Sequence, residues 1–162
     1  MVELQINTTQ NVNINFIAAS VGERILAYII DLVIKIAYVV FAFQIVFNLL
    51  EWNTAIELMD GWSQRAIYTS FLLPVMLYSL IFESLLSGQT IGKRILKIQV
   101  VKIDGYQAGL GDYFMRWICR IVDVNMMSGI VALIAIVTSK KSQRLGDMTA
   151  GTSVITLKNN VN

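Results

Sequence analysis

The sequence predicts an all-α membrane helical bundle. Two helices cross fully, a third hydrophobic region folds back as a re-entrant or interfacial helical hairpin, and a small cytoplasmic antiparallel β-sheet caps them. Three observations carry this reading. The 162 residues are 56% hydrophobic and only 15% charged, with a mean hydropathy of +0.62, whereas a soluble domain carries about 25% charged residues. Two long apolar stretches are divided by an acidic loop and followed by a basic one. Short segments outside them alternate polar and apolar residues. No Pro/Gly/Ser-rich linker divides the chain, so residues 1–162 read as a single membrane domain. A net charge of +2 gives no reason to expect nucleic acid. The lone Cys119 allows no intrachain disulfide. With no histidine, the usual metal ligand and proton shuttle are missing, so neither a metal nor a cofactor is expected.

At the N-terminus, Glu3 to Asn7 and Val12 to Phe16 alternate like strands, and the polar opening stretch lacks the basic and apolar regions of a cleavable signal peptide. The first span runs from about Ile25 to Leu50 and covers about 39 Å, enough to cross a core of about 30 Å with tilt. The second runs from about Ala66 to Leu86, about 31 Å long, with a kink expected at Pro74. Between them Glu51, Glu57 and Asp60 face only Arg65, whereas Lys93, Arg94, Lys97 and Lys102 follow the second span. The positive-inside rule then places the acidic loop outside and both termini in the cytoplasm. The third apolar region has two readings. A single span from Trp117 to Thr138 would send Lys140, Lys141 and Arg144 outside, away from the first basic cluster. Two shorter helices, Leu110 to Val122 and Met127 to Ser139, broken around Asp123-Val124-Asn125, keep both clusters inside, and this hairpin is favoured. Each piece is about 20 Å long, too short to cross alone. Asp112, Arg116, Arg120 and Asp123 recur on one face of the first piece, which suits the headgroup level or a polar partner. Leu96 to Ile103 and Thr152 to Leu157 alternate like strands, and neither can leave its backbone unpaired, so they are expected to pair with each other.

Asp31 lies near the middle of the first span, within about 20° of both Arg24 and Lys35 around the helix axis, with Tyr28 close by. A charge at the centre of a spanning helix costs roughly 2.5 to 3.5 kcal/mol, so this stripe must face protein or a wet cavity rather than lipid. It is read in two ways. The charges can be an internal ion-pair network that fixes helix packing, or Asp31 can take up and release a proton or cation beside Arg24 and Lys35. Glu83, one turn from Ser79 near the end of the second span, is expected to pair with Arg24. The loop SGQTIGKR lacks the Walker A spacing, since three residues rather than four separate Gly88 from Gly92 and Arg94 follows Lys93. It reads as a tight turn into a strand, with Lys93 and Arg94 at the headgroups. Arg144-Leu145-Gly146-Asp147 reads as a turn in which Asp147 caps or pairs with Lys93, Arg94 or Arg116. No nucleophile stands with a base, so the chain is not expected to be an enzyme.

The stretches GERILAYIID, FESLLSGQTIGKRILKIQVVKIDG and QRLGDMTAGTSVI together resemble the RDD family of small membrane proteins, named for one arginine and two aspartates. The resemblance implies that Arg24 and Asp31 are the first two motif residues and Asp147 the second aspartate, with Asp123 the alternative. It also implies motif roles for Gly88, Thr90, Gly92, Lys93, Gly151 and Thr152. The family is described as a transport module, with cation/proton antiport proposed within it. This implies a multi-pass protein of the prokaryotic plasma membrane. It would move a monovalent cation, a proton or a small solute as a homo-oligomer along a stripe of Arg24, Asp31, Lys35 and Glu83. The other reading is a non-transporting adaptor, immunity or assembly factor that meets a membrane-protein partner; membrane lipid surrounds the chain in either case. In a variant lacking Cys119, a cysteine at Asn160 is expected to react only after the cells are opened. Labelling of Asn160→Cys in intact cells would restore the single third span.

Overall fold

Both ends of the chain contribute to one region of antiparallel pairing. The computed structural model describes residues 3–7, 13–49, 52–104, 106, 108–121, 136–139 and 143–158. β1 (Glu3–Asn7) pairs antiparallel with β2 (Asn13–Ile17), with Glu3 opposite Ile17. β3 (Ile98–Lys102) pairs antiparallel with β4 (Thr152–Thr156), with Val100 opposite Val154. An Ala18 to Ile155 bridge, with the Ala19 N–H donating to the Val154 carbonyl at 2.9 Å, joins the exit of β2 to β4. The expected pairing of the two later strands is therefore present. The strand expected from Leu96 begins instead at Ile98, because residues before it form a short helix.

α1 (Val21–Phe43) starts behind a capping box. The Glu23 N–H donates to Ser20 Oγ at 3.2 Å, and the Ser20 N–H donates back to Glu23 Oε2 at 3.0 Å. The helix continues through π-type turns over Gln44–Leu49. After α2 (Trp52–Glu57), Asp60 accepts from the backbone of Trp62 and Ser63, so α3 (Gly61–Leu85) begins five residues before the expected start at Ala66. Pro74 lies inside α3, which continues on both sides of it. Two helical segments, Val21–Phe47 and Gly61–Leu85, are long and apolar enough to cross a membrane. Their apolar side chains face outward: Val33, Val40 and Phe41 are each at least 60% exposed. The core helix of a soluble protein would bury such residues, and a sheath of lipid is what makes their exposure tolerable.

The chain divides into two compact units. One comprises Ile30–Tyr78; in it, Phe43, Phe47 and Tyr68 stack with ring centroids 4.8 to 6.3 Å apart. The other comprises Met1–Ile29 with Ser79–Asn162. In it α4 (Ile91–Ile95) opens on Thr90, whose Oγ1 accepts from the Lys93 N–H at 3.3 Å. α5 (Leu110–Arg120) opens on Gly109, whose N–H donates to Asp112 Oδ2 at 2.8 Å. α6 (Leu145–Thr149) leads into β4. Its core gathers Ala19, Ala27, Ile98, Val100, Tyr113 and Val154. Four successive β4 residues, Thr152 to Ile155, are buried, so this strand is covered on both faces.

α5 matches the first piece of the expected hairpin. The break at Asp123-Val124-Asn125 and most of the second piece lie outside the described residues; of Met127 to Ser139 only 136–139 are described, with 136–138 helical.

Gly88 ties α3 to β3: its N–H donates to the Glu83 carbonyl at 2.7 Å and its carbonyl accepts from the Val100 N–H at 3.1 Å. Its φ is +91°, and a Cβ there would stand 2.6 Å from the Val100 carbonyl oxygen. Gly88→Ala is therefore expected to lose on the order of 2 kcal/mol or more of stability. Gly111→Ala, where a Cβ meets nothing within 4 Å, should be neutral or slightly stabilising. Thermal unfolding of both variants in detergent checks the contrast.

Candidate functional site: a buried cluster of charges

The second unit buries an unusual number of charges, and each is positioned by a local feature. On α3, Ser79 and Glu83 are four residues apart and share a face. Lys93 lies in the short helix that Thr90 caps. On α5, Arg116 and Arg120 repeat the four-residue spacing. Asp147 sits in the first turn of α6, where its Oδ2 accepts from the Arg144 N–H at 3.2 Å. Gly146 lets α6 approach α5 closely, since a Cβ there would stand 2.9 Å from Cys119 Cβ.

These side chains meet around two carboxylates. Glu83 Oε1 accepts from Lys93 Nζ at 2.7 Å and from Arg120 Nη2 at 3.3 Å, while its Oε2 accepts from Arg116 Nε at 3.4 Å. Arg116 turns Nη1 to Asp147 Oδ1 and also donates to Thr152 Oγ1 at 2.7 Å, so one guanidinium bridges both acids. Asp147 Oδ2 faces Arg24 Nη1 at 3.7 Å and Arg144 Nε at 3.8 Å. Arg24 also donates from Nε to the Ala19 carbonyl and from Nη2 to the Val154 carbonyl. Glu83, Lys93, Arg116 and Asp147 are at most 5% exposed. Five basic side chains here face two carboxylates among the described residues, an excess of three positive charges when all five are protonated.

The surplus marks the titration of the groups outside the spans. Burial, reinforced by Arg116 and Arg120 and opposed by Glu83, pushes the Lys93 ammonium down to about 7. Burial also lowers Arg144, despite Asp147, with Arg120 and Arg116 adding to it. Burial works against Arg116 too, but Asp147 and Glu83 outweigh it and hold its pKa above the usual value. Asp147 is held below the carboxylate range, because Arg116, Arg144 and Arg24 overcome the effect of burial.

Two expectations are corrected here. Glu83 pairs with Lys93, Arg116 and Arg120, whereas the carboxylate facing Arg24 is Asp147. Lys93 is buried on Glu83 rather than standing at the headgroups, while its neighbour Arg94 is exposed. The expected pairing of Asp147 with Arg116 is present. Asp123, the alternative second aspartate, lies outside the described residues. Of the other motif positions, Gly88 makes the turn, Gly92 is buried inside α4, Gly151 adopts φ +59° before β4, and Thr152 receives Arg116. Arg116, Arg120 and Arg144 were not among the site residues expected from sequence; the four-residue spacing of two arginines on an amphipathic helix was the available signal. Asp31 and Lys35 belong to the other unit. There Tyr78 Oη donates to Asp31 Oδ1 at 2.9 Å, and Lys35 Nζ lies 5.2 Å from the centre of the Tyr78 ring. Asp31 is 6% exposed.

Asp147→Asn leaves Arg24, Arg116 and Arg144 facing a neutral amide and is expected to cost about 3 to 5 kcal/mol. Lys93→Met leaves Glu83 with two arginines and should cost less. Because the Asp147 pKa is depressed on folding, its contribution is full above about pH 4 and is lost as pH falls through the folded value. Acid unfolding followed by tryptophan fluorescence should accordingly be less steep in Asp147→Asn than in the parent.

Residues 18–151 match the RDD family. An 85-residue stretch is 35% identical to the uncharacterized protein YckC of Bacillus subtilis (strain 168), covering 51% of this chain and 56% of that protein. The chain thus spans about half the length of this curated relative. No solved structure matches. The family match takes in α1 with Arg24 and Asp31, the Glu83 and Lys93 pair, Arg116 and Asp147, and on that extent the chain belongs to the RDD family.

Proposed function

We propose that this chain is a multi-pass module of the prokaryotic plasma membrane that moves a small charged solute, a monovalent cation or a proton, as a homo-oligomer. Both termini and the strands lie in the cytoplasm, and the third apolar region re-enters from that side. Two spans are too few to enclose a path, so copies must combine. The observation that carries the reading is Asp31. Its carboxylate is 6% exposed on a helix whose next residues, Leu32 and Val33, are exposed apolar side chains. A carboxylate at such a position incurs the roughly 2.5 to 3.5 kcal/mol cost of a charge in a span, and such residues are found on ion and proton paths. Tyr78 supplies a hydroxyl donor and Lys35 an ammonium within the same unit. These are groups through which proton or cation occupancy of Asp31 can be exchanged.

The second reading is a non-transporting adaptor, and the cluster around Glu83 and Asp147 favours it. Buried charges that are closely paired serve packing as readily as passage. Neither reading includes catalysis.

In proteoliposomes, Asp31→Asn is expected to reduce gradient-driven Na⁺, K⁺ or H⁺ flux at least tenfold while leaving extracted yield and Tm close to the parent. Tyr78→Phe, which removes only the hydroxyl donor, should fall between. If Asp31→Asn folds normally and no flux changes, the adaptor reading replaces transport.

A further inference from the structure

Arg116, Arg120 and Arg144 line a small cavity between α3, α5 and α6 together with the two acids Glu83 and Asp147 and with Ser79. Its volume is about 10 Å³, the scale of a single water or one bound oxygen atom. Arg116 forms the floor and is fully committed, bridging Glu83, Asp147 and Thr152. Arg120 and Arg144 stand differently. Their side chains are about one-fifth exposed, at 20% and 19%, and each meets a single carboxylate, at 3.3 and 3.8 Å. The wall thus carries two guanidinium groups whose donors the two buried carboxylates do not exhaust. Among the described residues, Arg24 Nη1 is also buried without a hydrogen-bond partner behind Asp147.

The lining itself carries three arginines against two carboxylates, and Arg24 and Lys93 add positive charge behind it; such a surplus is costly while nothing neutralises it. Water is neutral and can only screen this surplus, and the enclosed volume holds about one. A further acid on these helices would have supplied the missing charge, yet the carboxylates that meet the cluster among the described residues are Glu83 and Asp147. The geometry points to an anion-binding site at this cavity, with a phosphate group as its ligand. One phosphate oxygen enters the cavity above Arg116, and the remaining oxygens lie at the mouth between Arg120 and Arg144. Guanidinium forks match a tetrahedral oxyanion through paired N–H donors, and Ser79 in the lining adds a hydroxyl able to donate. The lowered Lys93 and Arg144 pKa values agree with a cluster short of negative charge. The phosphate can belong to a lipid headgroup or be free in solution. The site is built from the unit that does not contain Asp31, and its test does not use ion flux.

The full chain in dodecyl maltoside is titrated with ³²P-labelled inorganic phosphate at fixed ionic strength, with chloride as the balancing anion. Saturable binding of one phosphate per chain is expected, with a rise in Tm that chloride does not reproduce. Arg120→Gln and Arg144→Gln should each weaken binding at least tenfold, whereas Arg94→Gln, which removes an exposed arginine outside the cavity, should change it less than twofold. Without phosphate, both cavity variants should unfold at or above the parent's Tm, since each removes a repelling charge. A second arm reconstitutes the protein in phosphatidylcholine containing phosphatidylglycerol and measures the retained anionic lipid. Retention that depends on Arg120 and Arg144 and is displaced by inorganic phosphate assigns a headgroup. Phosphate binding without such retention assigns a free phosphate. If neither probe binds more tightly to the parent than to the two variants, the site is overturned. If the variants fail to fold, absence of saturable phosphate binding and of phosphate-specific stabilisation in the parent overturns it.

Discussion

The buried guanidinium of Arg116 holds the strand-bearing unit together. It reaches Glu83 on α3 with Nε and Asp147 on α6 with Nη1, and the same nitrogen donates to Thr152 at the start of β4. Three segments far apart in sequence are thus fixed to one planar group. A planar guanidinium that bridges two acids imposes direction as well as distance, which a lysine ammonium would not. Inside a protein each such bond is stronger than in water and an unpaired member is correspondingly expensive, so Arg116 and its two acids depend on one another.

That dependence explains several features around it. Arg24 lies one turn into α1 because the Ser20 and Glu23 capping box fixes the helix start, and from there it reaches the carbonyls of Ala19 and Val154 as well as Asp147. Gly146 removes the side chain that would hold α6 away from Cys119 and Arg116. Gly88 turns the chain so that Lys93 comes back toward Glu83 on the helix just completed. The residues of the family pattern therefore divide between those that carry charge and those that let charges meet.

Charge is distributed unevenly between the two units. Among its described residues, the unit containing Asp31 buries that one carboxylate beside a phenol, with an ammonium over the phenol ring. The other concentrates seven charges and leaves a positive surplus, which suits holding an anion.

The sequence by itself determined the two apolar helices, the β3 and β4 segments and the family, because hydropathy, alternation and short motifs are local properties. It placed the start of α3 late, since Ala66 opens the apolar run whereas Asp60 opens the helix through its cap. It identified Arg24, Asp31, Glu83, Lys93 and Asp147 as the charges needing explanation, since an ionised group beside apolar surface is conspicuous in any register. It did not determine their partners. Arg24 could be matched with Asp31 by helical spacing or with Glu83 by its depth near the end of the second span, yet it faces Asp147, more than a hundred residues away in sequence. Arg116 looked like one of several charges on an amphipathic face. Only the tertiary structure decided these pairings, because every arginine is alike in sequence and the choice among carboxylates depends on which backbone turns bring two side chains within reach in three dimensions.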